Sequence, residues 1–145
     1  MQVVANNKKA FFEYFILEKI EAGIQLTGDE VKSLRSGKAS IKEAYAEAKK
    51  GELYLVNSDI SNYKKASNYS KLEAKRVRKL LVHKKQISKL KGKIEKEGMT
   101  IVPLKLYFNN KGIAKVEIAV AKGKKLYDKR EVKKKKDWNI QKKRL

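Results

Sequence analysis

Leu104, Leu106 and Phe108 alternate with Lys105 and Tyr107; after Asn109-Asn110-Lys111-Gly112, Val116, Ile118 and Val120 alternate with Lys115, Glu117 and Ala119. A period of two puts the two sets on opposite faces of a strand. The segment therefore predicts a hairpin whose turn carries Gly at the left-handed position. Residues 11–24 read as one long strand, with Phe12, Tyr14 and Ile16 on one face and Phe15 and Leu17 on the other. Its start is expected to be buried on both sides, and Gly23 marks a bend or bulge near its end. Residues 45–48 and 52–56 flank Lys50-Gly51 as a second hairpin, although Ala44, Ala46 and Ala48 leave a helix open.

Two segments switch to helical spacing. Thr27 stands three residues before Glu30, the spacing at which each side chain satisfies the other's free backbone amide. A short helix over 28–36 follows, with Val31 and Leu34 inward, Lys32 and Arg35 projecting elsewhere, and Gly37 as its left-handed stop. Ile87, Leu90 and Ile94 predict a second helix over 83–97, ended by Gly98 and otherwise covered in lysine. Residues 57–70 are polar and read as loop around Ile60 and Tyr63. Short strands, small helices and no βαβ alternation predict a mainly β fold with peripheral helices: a closed or partly closed barrel. One domain is expected over 1–122. Residues 123–145 form a basic C-terminal tail with too few apolar groups to offset the entropy of ordering, hence expected to be flexible when free.

Charge sharpens this picture. The 145 residues carry a formal +21, and residues 121–145 alone hold twelve Lys/Arg against three Asp/Glu. Such density repels itself and is usually kept for a polyanion. Nucleic acid is the commonest, because neutralised phosphates release condensed counterions. An anionic membrane would call for an amphipathic basic helix or a lipid anchor, and neither is evident. No apolar run approaches the roughly 18 residues of a membrane span, and residues 1–10 lack a secretory h-region. With no Cys, disulfides and thiolate metal sites are excluded. A soluble cytoplasmic protein is expected.

Groups for catalysis are sparse. His83, the single histidine, falls at a helix start and suits a structural or RNA-stacking role better than general-base work. Gly23 and Gly28 have P-loop spacing, but Asp29 sits where that loop needs Lys. Asp29-Glu30 and Glu117 read as cap and surface charge. A binding module is expected rather than an enzyme, with no cofactor and no metal.

Longer motifs go beyond a generic basic domain. They are Glu21-Ala22-Gly23-Ile24, continued by Gly28 and Glu30-Val31-Lys32-Ser33-Leu34-Arg35-Ser36-Gly37-Lys38-Ala39; Arg78-Lys79-Leu80-Leu81-Val82-His83; Val102-Pro103-Leu104-Lys105-Leu106-Tyr107-Phe108; Val116-Glu117-Ile118-Ala119; and Ala121-Lys122-Gly123-Lys124-Lys125-Leu126-Tyr127-Asp128-Lys129-Arg130. Together they closely resemble the bacterial SsrA-binding protein family, also called small protein B, in the family's order from about residue 7 to about residue 132. The resemblance implies an oligonucleotide-binding-type β-barrel and a partner, transfer-messenger RNA, bound through its tRNA-like domain. It further implies trans-translation on stalled ribosomes, with the tail entering the small-subunit decoding centre and the empty messenger channel. Alanyl-tRNA synthetase and elongation factor Tu are implied as indirect partners.

By position, the resemblance carries RNA binding to Glu30, Lys32, Arg35, Lys38, Leu81 and Lys115. Glu30 would accept from nucleotide hydroxyls or amino groups or orient a neighbouring Arg, beside its role as a cap; Leu81 also reads as core. The ribosome-engaging set is Lys122, Lys124, Lys125, Tyr127, Asp128, Lys129 and Arg130, with Tyr127 able to stack on a base. Trp138 and Ile140 are either the docking face of a helix formed on the ribosome or scattered. The sequence departs from the family where Leu72-Glu73-Ala74 replaces a usual His-Asp-Pro turn and where Asn62 precedes Tyr63. The competing reading, a general single-strand binder, needs exposed aromatics on the barrel, for which Tyr54 and Tyr107 are candidates. A third, a nuclease, needs clustered carboxylates and a divalent metal.

Overall fold

A computed structural model of the protein describes residues 1–61 and 74–124. In chain order the elements are β1 (Gln2–Asn6), α1 (Lys8–Glu13), β2 (Tyr14–Ile24), α2 (Gly28–Arg35), β3 (Ala39–Ser40), β4 (Tyr45–Lys49), β5 (Glu52–Val56), β6 (Asp59–Ile60), β7 (Arg78–Leu81), α3 (Lys84–Glu97), β8 (Thr100–Phe108) and β9 (Ala114–Gly123). The predicted hairpin is β8–β9. Gly112 at its tip has φ +75°, and the Asn109 side chain accepts the N–H groups of Lys111 and Ile113, each at 2.9 Å. The Lys50-Gly51 turn, with both residues at positive φ, joins β4 to β5 and decides against the alanine-rich helix.

Antiparallel pairing runs β4–β5–β7–β2–β9–β8. The ring returns from β8 to β4 through a single register pair, Ala46 with Ile101; β1 occupies the rest of that β8 edge. The barrel is therefore partly closed. Leu53, Leu55, Leu80, Leu106 and Ile118 fill it at full burial, each contributing roughly 1.5–3 kcal/mol relative to exposure. Ile87 and Leu90 of α3 bury against this core, and Gly98, at φ +63°, stops the helix as predicted.

Several expectations change. Residues 11–13 belong to α1, not to the long strand, which begins at Tyr14. Asn7 forces the turn: its side chain accepts the Ala10 N–H and donates to the carbonyls of Ile41 and Pro103. Phe11 and Phe12 are then exposed, Phe12 at 79%, rather than buried on both sides. Ala10 of α1 packs with Val102, Leu104, Ala119 and Ala121 in a small second cluster. β1 and β7 were not foreseen. β8 begins before Pro103, which lies at a register shift, where a residue without an N–H is tolerated. Within the expected polar loop, Asp59 and Ile60 pair with β3, and Ile60 is fully buried; Tyr63, Leu72 and Glu73 lie outside the described residues, as does the tail from residue 125 onward.

Candidate nucleic-acid interface

The site is organised by α2. Its predicted capping box is present: Thr27 Oγ1 accepts the Glu30 N–H at 3.2 Å, and Glu30 Oε1 accepts the Thr27 N–H at 2.9 Å. At the other end, Gly37 N–H reaches Leu34 O (2.9 Å) and Lys38 N–H reaches Ser33 O (3.0 Å). This bond pair satisfies the orphan carbonyls, with Gly37 supplying the left-handed residue at φ +73°. Lys32, Arg35 and Lys38 thus gather around the C-terminal end of the helix, where its dipole favours cations. All three are exposed. The Arg35 guanidinium lies 5.8 Å from the Phe108 ring centroid, which holds it toward the β8–β9 turn.

The buried side of α2 carries Glu30, only 3% exposed. Besides the cap, its carboxylate accepts Arg78 Nε at 2.8 Å and Arg76 Nε at 3.1 Å, and each of those guanidinium groups adds a second, shorter bond from Nη2. Arg78 is fully buried, its side chain turned inward by the alternation of β7. It also donates to Ser58 Oγ and to the carbonyls of Ser58, Ala74 and Arg76. Burial alone would raise the carboxyl pKa of Glu30; the hydrogen bond from Arg76, followed by the Thr27 amide and Arg78, takes it below the usual carboxylate range. Glu30 thus holds two neighbouring arginines in place, beside its part in the cap. The roles of Arg76 and Arg78 were missed. The signal was there: a cation in strand parity with Leu80 must point inward and find a partner.

Leu81 and Lys115 come together through register. Gly23 pairs with Leu81 on one side and with Lys115 on the other, so the three form one row across β7, β2 and β9. Leu81 is half exposed and not core. A Cβ on Gly23 would stand 3.1 Å from Leu81 Cβ and 3.4 Å from its Cδ1, so the leucine lies against the glycine's open face. The row presents an apolar group and a cation either side of a bare backbone position. Next along it is Tyr107, paired with Lys115. That ring is 5% exposed and its hydroxyl donates to the Glu21 carboxylate, which with burial raises its pKa. Tyr107 is therefore not a stacking platform, and Tyr54 is half-buried. His83 stands at the N-cap of α3 without a side-chain capping bond.

Of the tail set, only Lys122 and Lys124 are described. Lys122 lies on β9 opposite Phe15. Lys124 donates from Nζ to Phe11 O at 3.1 Å and sits 5.2 Å from the Phe15 ring centroid. Lys125, Tyr127, Asp128, Lys129, Arg130 and Trp138 lie outside the described residues. Among the described residues no group of three His, Cys, Asp or Glu could hold a metal, and no helix is long and apolar enough to cross a membrane.

Fold and surface define an antiparallel oligonucleotide-binding-type barrel with peripheral helices and a cationic exterior. The SmpB protein family matches residues 4–145, and the chain belongs to that family. Relatives named SsrA-binding protein include one from Nitrobacter winogradskyi, 57% identical over 145 residues, spanning 100% of this chain and 92% of its own. Another, from Bradyrhizobium sp., is 58% identical over 143 residues and spans 99% and 90%. A chain from the solved structure described as "tmRNA-SmpB: a journey to the center of the bacterial ribosome" superposes with a TM-score of 0.67 at 49% identity, covering 82% of each chain.

Proposed function

We propose that the protein binds the tRNA-like domain of transfer-messenger RNA and brings it to stalled ribosomes for trans-translation, its basic tail entering the decoding centre and the empty messenger channel. The observation that carries the body's part is the row Leu81, Gly23, Lys115. A half-exposed leucine on a barrel strand costs solvation in the free protein. Beside a glycine and a lysine it offers an apolar contact, backbone access and a phosphate partner within one footprint. The full-length likeness to SsrA-binding proteins and to the chain of the tmRNA-SmpB assembly supports the identity of the RNA. Lys32, Arg35 and Lys38 supply further phosphate contacts from α2. Alanyl-tRNA synthetase and elongation factor Tu act on the same RNA and are indirect partners. The site of action is the cytoplasm, where ribosomes are.

The test is competition binding with the full chain. The tRNA-like domain should displace an unstructured RNA of equal length at far lower concentration, and Leu81→Ser or Lys115→Gln should erode that preference. Equal competition by both RNAs would instead mark a general single-strand binder.

A further inference from the structure

We infer that Arg76 is the RNA-contacting member of the Glu30 cluster, and that Glu30 is a positioning residue which acts on RNA only through it. The inference rests on the binding role proposed above and follows from counting donors and acceptors. A carboxylate offers about four lone-pair sites. Glu30 already receives the Thr27 N–H, two bonds from Arg76 and two from Arg78, and it is buried. No acceptor is left for a nucleotide hydroxyl. Arg78 is spent as well: Nε and both η nitrogens bond Glu30, Ser58 and the carbonyls of Ala74 and Arg76, in a side chain with no exposure.

Arg76 differs. Nε and Nη2 each bond Glu30, and Nη1 makes one 3.3 Å bond to Val77 O. A guanidinium has five N–H groups, so one on each η nitrogen remains, on a side chain that is 39% exposed. Two guanidinium groups share one carboxylate, so the trio is net +1. With Arg78 sealed inside, that excess charge is presented at Arg76. Its fork is also pre-oriented by Glu30, which lowers the entropy of docking on a phosphate. The result is a cation whose direction is fixed from beneath by a buried acid.

The experiment measures affinity for the tRNA-like domain as a function of salt, using the full chain, alongside melting temperature. Arg76→Gln should lower affinity and reduce the slope of log affinity against log salt by about 0.7–0.9, one phosphate contact. It should also bring a moderate fall in melting temperature, because Glu30 loses two bonds but keeps Arg78 and the Thr27 amide. Arg76→Lys keeps the charge and loses the fork, so the slope should recover while affinity recovers only in part. Glu30→Gln should weaken binding in the wild-type background yet add less than about twofold when Arg76 is already Gln, since the effect travels through one group. An unchanged slope in Arg76→Gln overturns the inference, as does a Glu30→Gln loss of equal size in both backgrounds. Should Glu30→Gln fail to fold, the two Arg76 slopes decide alone. The wild-type protein's preference for the tRNA-like domain over an unstructured strand tests the functional reading separately, because the Arg76 slope can be measured on either RNA.

Discussion

Among single residues, Arg78 carries the sharpest stability prediction. Among the described residues it is the largest fully buried side chain, and it ties α2 to Ser58 and to the backbone at Ala74 and Arg76. Arg78→Met would leave Glu30 short of a buried partner and strip Ser58 and Ala74 of their donor. Removing one member of a buried pair typically costs about 3–5 kcal/mol, so the urea midpoint should fall sharply at unchanged m-value. Glu30 also makes stability depend on pH with a definite sign. Its carboxyl pKa is lowered by folding from an ordinary 4.5, so its contribution is complete above that value. It is lost as pH falls below 4.5 and through the folded-state pKa. Glu30→Gln should flatten this part of the acid limb of a stability–pH curve; an unaltered limb would assign the acid sensitivity elsewhere. Gly23 gives a milder case. Gly23→Ala places a methyl 3.1 Å from Leu81 Cβ and should cost roughly 1 kcal/mol, as small overpacking does, while pushing Leu81 outward. RNA affinity should fall by more than the melting temperature suggests, and the reverse would mean that the row has no part in binding.

Elements show where sequence patterns suffice and where they do not. The β8–β9 hairpin, the Lys50-Gly51 turn, the capping box and the stops at Gly37 and Gly98 were legible because each is specified by residues a few positions apart. What escaped depends on partners far along the chain. β1 is too short to show a period and is held by β8. Phe11 and Phe12 have strand propensity, but buried Asn7 ties down the start of α1, with bonds to Ile41 and Pro103. Leu81 looked like core because an apolar residue beside Leu80 gives no hint that its face of β7 lies open. For the site, the motif residues on α2 were readable, whereas the bonds joining Glu30 to Arg76 and Arg78 span 46 and 48 positions and have no local signature. The C-terminal end of α2 carries its own prediction. Lys32, Arg35 and Lys38 cluster there by helix geometry, so reversing Arg35 and Lys38 to Glu should weaken RNA binding and flatten its salt dependence by more than one contact. The same changes place two acids at a helix C-terminus, costing about 0.3–1 kcal/mol each. Circular dichroism melts must therefore accompany the titrations, and unchanged affinity in a folded double variant would remove this helix end from the interface.

Across the whole molecule, β9 separates two surfaces. Lys115, in the row with Gly23 and Leu81, and Lys122, opposite Phe15, are seven residues apart on one strand, about 23 Å at strand rise. β9 ends at Gly123, and next to it Lys124 is tied to the Phe11 carbonyl and covers the Phe15 ring. On the proposed function, RNA held at the Lys115 end would leave the Lys122 end of the strand free for a second partner. The proposed function divides the labour accordingly: the body would select the RNA, and the tail would make the complex work on the ribosome. On that proposal, the mutual repulsion of Lys133 to Lys136 in isolation would be relieved beside ribosomal RNA. Truncation after Arg130 should leave melting and specific binding of the tRNA-like domain nearly intact, with some loss of nonspecific affinity from the removed lysines. Tagging of nascent chains on stalled ribosomes should collapse, and replacing Asp128-Lys129-Arg130 by alanines should have the same effect. Full tagging by the truncated chain would refute the division. Failure of that chain to bind the tRNA-like domain would place the tail in the first interface instead, in conflict with the separation along β9.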